Sequence, residues 1–219
     1  SGLVGSEMCI RDRSIVDDEV CREASKQEII RRYFKTACLV RQGLASEAEL
    51  QKIENLMRQL KLEPENRPVV PAALKRAEAT GQPAAALELP DGTIVTGRTS
   101  ELLGASSALT LNALKMLAGI PHEVKLISPT VIAPIQTLKT DYMQSRNPRL
   151  HTDEMLVALA ISAATDENAM RAMQKLDELS GCDLHSSVIL GTVDDSVFKR
   201  LGINVTCEAT YEDNNLYHK

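Results

Sequence analysis

A histidine and two carboxylates stand together at His151-Thr152-Asp153-Glu154. His151 and Glu154 are three residues apart, the spacing that brings two side chains to one face of a helix. An imidazole beside a carboxylate can move a proton or hold a metal ion. His151, Asp153 and Glu154 are therefore the candidates for catalysis. At a helix start the aligned N–H groups oppose a further positive charge, so His151 is expected to stay neutral. The same residues also read as an ordinary helix start, with Thr152 as the cap and two acids in the first turn.

Hydroxyls form the second group. Ser106-Ser107 precede one strongly apolar segment, and Ser128-Pro129-Thr130 precede another. Hydroxyls and open N–H groups at two neighbouring helix starts make a cradle for an anion. Ser106, Ser107, Ser128 and Thr130 are thus candidates for binding a ligand, with His185 and Ser186 beside them; capping alone explains the first four as well. His185-Ser186-Ser187 does not read as a nucleophile and its base, because neighbours on a strand face opposite ways and no G-x-S-x-G elbow is present. Asp17-Asp18-Glu19 reads as a solvated approach to a helix rather than a cation site. Cys182 and Cys207 read as small buried residues, and Met170 and Met173 as core.

These groups need elements to hold them. Residues 83–119 form the organising unit: a strand at 84–89, an Asp91-Gly92 turn, a second strand at 93–96, then a helix over 105–118 whose sole full charge is Lys115. Asp-Gly is a strong hairpin signal. A helix apolar nearly all round, yet too short to span a bilayer, is a core helix covered on several sides. Upstream, Ser25-Lys26-Gln27-Glu28 and Ser46-Glu47-Ala48-Glu49 read as capping boxes opening two helices of a hairpin. After a linker-like break at 63–67, Asn66 reads as the cap of a third helix over 68–80. Downstream the pattern predicts a strand at 123–127, a helix from Ser128, a helix from Thr152 and another from 165. A strand at 184–190, a short helix capped by Asp194, and a last strand at 203–207 complete it. The order is three helices, then β-β-α-β-α-α-α-β-α-β. That predicts an α/β fold: a helical segment over 14–82, a three-layer domain with a mixed sheet over 83–209, and a polar tail at 210–219.

Composition narrows the function classes. Of 219 residues, 43% are hydrophobic, with no Trp and two Phe, so the core is aliphatic. The net charge of −5, with no basic block, argues against nucleic-acid binding. No apolar run is long enough for a membrane helix. Five scattered cysteines without C-x-x-C point to reduced thiols and a cytoplasmic setting. Residues 1–13, SGLVGSEMCIRDR, lack periodicity. Their VGSEMCIRDR core looks like the translated read-through of a sequencing adapter, so Cys9 is given no role.

The order strand, DG turn, strand, core helix, strand, S-P-led helix resembles the cytidine-deaminase-like fold. That family's zinc ligands would fall near 106–109 and at Pro129-Thr130-Val131-Ile132, where only the proline matches. With no Cys or His at a ligand position and no Glu at the proton-shuttle position, no zinc is expected in this domain. The stretches IVDDEVCREASKQEIIRRYFK, LELPDGTIVTG, LLGASSALTLNALKMLAGI, SRNPRLHTDEMLVALAISAA and HSSVILGTVDDSVFKRLGINVTCE resemble a family of bacterial proteins about twice this length that bears a domain-of-unknown-function label. Its members carry an additional N-terminal half with a glycine-rich, P-loop-like segment. The resemblance implies that this chain is a C-terminal fragment and that its chief partner is that N-terminal half, with homo-oligomerisation an open alternative. The expected function is part of a bacterial enzyme with a zinc-free pocket for a nucleotide or other anionic metabolite at the starts of the central helices. The competing expectation is a non-catalytic oligomerisation or regulatory module.

Overall fold

The structure, a computed structural model, describes residues 18–212. The adapter-like segment at 1–13, Cys9, Asp17 and all but the first three residues of the polar tail lie outside the described residues. Eight α-helices and four strands are described: α1 (Asp18–Arg41), α2 (Glu47–Gln59), α3 (Val69–Thr80), β1 (Ala84–Glu88), β2 (Ile94–Arg98), α4 (Ala105–Leu117), α5 (Pro129–Thr137), α6 (Thr152–Ala163), α7 (Glu167–Met173), β3 (Asp183–Ser186), α8 (Thr192–Arg200) and β4 (Asn204–Cys207). The fold is α/β, as the sequence predicts.

The hairpin forms where the turn chemistry demands it. Gly92 takes a positive φ of 82°, and the Asp91 carboxylate accepts from the Thr93 N–H at 2.9 Å. The sheet order is β2-β1-β3-β4, with β1 antiparallel to β2 and β3, and β3 parallel to β4. β1 is central, and its Ala84 to Leu87 are buried. Alternate residues serve opposite faces. Ala85, Leu87, Val95 and Leu184 join a core with Leu109, Ala113 and Leu114 of α4, and α6, α7 and α8 add Met155, Leu159, Ala172 and Phe198. On the other face Ala86 packs on Val69 and Ala73 of α3. There α1 and α2 close a second cluster of Ile30, Phe34, Met57 and Leu62.

The second capping box is present: Ser46 N–H donates to the Glu49 carboxylate at 2.8 Å and Glu49 N–H to the Ser46 hydroxyl. The first is not. Helix α1 already starts at Asp18, where two acids suit its N-terminus, and the Ser25 hydroxyl instead donates to Cys21 O within the helix. Nor does Asn66 cap α3; its side chain accepts from Glu63 N–H in a one-turn 3-10 helix, Pro64–Asn66. The strand expected at 123–127 is a turn, with Leu126 and Ile127 buried in the core. β3 takes the place beside β1, and this short segment joins neither outer strand, β2 or β4, its apolar residues being drawn into the core instead. The deaminase-like order depended on that strand and gains no support from this sheet.

Gly97 on β2 is where α4 comes nearest the sheet. A Cβ there would lie 2.2 Å from Leu109 N and 2.5 Å from its Cα, both backbone atoms. Gly97→Ala should therefore push α4 off the sheet and cost about 3 kcal/mol or more. A urea-melt midpoint unchanged from wild type would contradict this packing.

Candidate functional site

β2, β3 and β4 all run the same way, so their carboxyl ends share one edge of the sheet. Short connections lead from β2 to α4 and from β3 to α8 at that edge. The start of α6 is tied to it through Leu150: its carbonyl accepts from Ser107 Oγ at 2.8 Å and from Gly104 N–H at 3.3 Å, and Leu150 N–H donates to Leu102 O. Ser106, Ser107, His151, Asp153 and Glu154 are thereby brought to one region. Ser128 and Thr130 are not. The other end of α5 is the one fastened there, by Gln136 Nε2 to Glu101 O at 3.3 Å and by Lys139. Ser128 sits eight residues before Gln136, roughly 12 Å along the helix, and its hydroxyl bonds Thr130 Oγ1 and Thr130 N–H.

The helix starts at this edge differ in how they are closed. At α6 the cap is His151, not Thr152 as the sequence suggests: Glu154 accepts from His151 N–H at 2.8 Å while pairing with the 6%-exposed Lys139. Asp194, expected to cap its own helix, instead accepts from Thr152 N–H at 2.9 Å, and Gly191 caps α8. A third-position carboxylate can reach a neighbouring helix when the two starts abut. Asp153 is exposed and accepts from Glu154 N–H. The α4 start is different. Like α8 it is capped by a glycine, Gly104, and the N–H groups of Ala105, Ser106 and Ser107 meet no acceptor among the described residues, but residues 191–193 at the α8 start are exposed and the α4 start is not. Ala105 is 9% exposed, Ser106 2% and Ser107 0%. The Thr152 hydroxyl nearby is also buried without a partner among the described residues.

His185 and Ser186 face opposite ways, as neighbours on β3 must. Ser186 Oγ donates to Val188 O at 2.7 Å. His185 lies against Phe34, ring centroids 4.7 Å apart, with Nδ1 at 2.9 Å from Thr206 Oγ1 and Nε2 at 3.2 Å from a Glu208 oxygen. Behind Thr206 stands Arg67, wholly buried. Its Nε donates to Thr206 Oγ1 at 3.2 Å and its Nη2 to Asn204 O at 2.7 Å. Its Nη1 forms an ion pair with Asp183 Oδ2 at 2.9 Å. Burial draws Arg67 below its usual range, against the opposing pull of Asp183. No local signal marks this arginine, which lies in a segment that reads as a linker. Burial raises Cys38 to about 11 and Cys207 to about 12, so both stay protonated, unreactive thiols. Among the described residues, no group of three or more His, Cys, Asp or Glu is placed to hold a metal ion, and no helix is long and apolar enough to cross a membrane.

Residues 65–217 match the C-terminal model of the domain of unknown function DUF1846, and residues 5–61 match its N-terminal model. The chain belongs to the DUF1846 family. It is 54% identical over 206 residues to a UPF0371 protein of Corynebacterium aurimucosum and 52% identical over 206 residues to one of Streptococcus thermophilus. Each match takes in 94% of this chain but 41% and 42% of the relative. The chain thus spans about two fifths of the length of these curated relatives. The gap between the two family models, residues 62–64, runs into the start of Pro64–Asn66, although α1, on the N-terminal side, packs directly on β3 and β4 of the C-terminal part.

Two outcomes follow from the buried network. Burial depresses His185, outweighing the hydrogen bond and charge of Glu208 that raise it; Arg67 lowers it further. The folded state therefore resists a proton that the unfolded chain accepts near pH 6.5. Stability should be full above about pH 6.5 and decline as the pH falls below it, towards the folded-state pKa. A urea midpoint equal at pH 7.5 and 5.5 would contradict that. Arg67→Ala should cost about 3–5 kcal/mol by leaving Asp183 only its 4.0 Å contact with Arg31 and Asn204 O without its donor; a midpoint near wild type would show the network to be dispensable.

Proposed function

We propose that this chain is the part of a larger DUF1846 protein that holds a small anionic ligand, through a phosphate or carboxylate, at the open start of α4. The carrying observation is that first turn: buried, capped by a glycine, with three N–H groups lacking acceptors among the described residues. A buried helix start without partners is costly, and an anion at that position meets both the N–H groups and the helix dipole. Ser106, 2% exposed and at the second position of the turn, adds a hydroxyl. The starts of α5 and α6 are occupied by the chain's own hydroxyls and carboxylates, which concentrates the reading on Gly104 to Ser107. Location supports it as well, since ligands of open α/β sheets gather beyond the carboxyl ends of strands. A nucleotide or another phosphorylated metabolite fits this chemistry, and the reaction of the whole protein would draw on its other half.

A second reading, a non-catalytic oligomerisation or regulatory module, draws on exposed apolar side chains. Val157 and Ile161 on α6, and Leu138, Tyr142 and Met143 in and just after the π-turn that ends α5, are each more than half exposed. Covering them against a second copy or a regulatory partner would bury that surface.

Gly104→Asp separates the two. The backbone there has φ −66°, and a Cβ would meet only Leu150 O, at 3.9 Å. A carboxylate cap should raise stability by a few tenths of a kcal/mol while occupying the anion position. In thermal-shift assays with inorganic phosphate, AMP and ATP, the wild-type chain should be stabilised and the variant should not respond. No response from either protein, or equal responses from both, would overturn the anion reading.

A further inference from the structure

The opposite edge of the sheet, at the amino ends of β3 and β4, carries a charge imbalance. Glu88 of β1 and Asp183 of β3 are partners in register. Carboxylates directly opposite on adjacent strands repel. Asp183 pairs with Arg67 at 2.9 Å and lies 4.0 Å from Arg31, whose nearer partner is Glu28 at 2.7 Å, so two arginines face three carboxylates. Glu88 is partly buried and has neither ion pair nor hydrogen bond from its side chain among the described residues. Beside it lies a hollow of about 320 Å³, lined by Glu88, Leu89, Pro90 and the turn Ser180 to Asp183. That space accommodates one long basic side chain.

Helix α1 leads to this edge. Arg31 reaches Asp183 at the start of β3, Phe34 packs on His185, and Cys38 Sγ donates to Cys207 O at 3.3 Å. The helix therefore climbs alongside β3 and β4, and its first nine residues, 18–26, extend beyond the amino end of the sheet by roughly 13 Å. All nine are exposed. A helix segment exposed on every side and mostly polar, with Val20 its one large apolar side chain, suits a bridge between structural units. The match to the N-terminal family model runs through this helix, and the curated relatives carry more than half of their length outside the matched region.

We propose that in full-length DUF1846 proteins the upstream half docks on this edge, alongside the projecting turns of α1, and places a lysine or arginine in the hollow beside Glu88. The contact neutralises Glu88 and covers the Asp91-Gly92 turn. It lies at the opposite edge from the α4 start and is independent of the anion reading.

Hydrogen–deuterium exchange on the full-length Corynebacterium aurimucosum protein and on this chain tests it. Peptides matching residues 88–93 and 179–184 should exchange about tenfold more slowly in the full-length protein, while those matching 99–104 exchange alike in both. Equal exchange at 88–93 and 179–184, or protection confined to the α5–α6 face, would overturn the proposal. Within this chain alone, Glu88→Gln should hold or raise the Tm, because it removes a direct repulsion from Asp183 and only a more distant attraction to Arg67. A lowered Tm would show that Glu88 already has its cation and would overturn the proposal too.

Discussion

A single buried guanidinium holds the two faces of this fold in register. Arg67 comes from the segment between α2 and α3 and ends among the strands, bonded to Asn204 O and Thr206 Oγ1 and paired with Asp183. Taking a charge out of water costs several kcal/mol unless each donor finds a partner. That cost makes the position of the linker specific: only one placement of residues 64–68 brings the fork to these acceptors. α3 then lies across Ala86, and α1 across His185. The same network sets the environment of His185, whose ring is confined between Phe34, Thr206 and Glu208. A polar layer of this kind rigidifies a face that an aliphatic core would leave free to slide.

The other face is governed by close approach instead of charge. Without a side chain at Gly97, the backbone of α4 rests on β2, and this draws the first turn of the helix down into the protein. Burial of a helix start is tolerable where acceptors are present. The chain supplies them at α6, through Glu154 and Asp194. At α4 it supplies a glycine, as it does at α8, where the start is exposed. The contrast among neighbouring helix starts, rather than any one of them, gives the α4 position its significance.

Much of the fold was legible from local chemistry. The Asp91-Gly92 turn, the nearly uncharged helix after it and the Ser46 capping box each rest on interactions within a few residues, and each forms as read. The misreadings share a cause. Local pattern points Asp194 to its own helix and Asn66 to α3, but hydrogen bonds go to whichever group lies nearest in space. Residues 123–127 have the composition of a strand, but Leu126 and Ile127 are buried in the core without joining the sheet. Of the candidate site residues, those at the starts of α4 and α6 come together because Leu150 links them, while Ser128 and Thr130 stay at the far end of α5. Arg67 was invisible because nothing in a linker announces that an arginine will be desolvated.

Sequence by itself determined which segments would be helix, hairpin and core, because periodicity, turn residues and caps act over distances of a few residues. It also bounded the chemistry, since side-chain types and net charge do not depend on the fold. Tertiary structure alone decided that β3 pairs with β1, that Arg67 sits among the strands, and that one helix start is buried and left open. Those outcomes depend on groups far apart in the chain meeting in a medium where an unpaired charge or N–H is expensive, and no local pattern encodes such meetings.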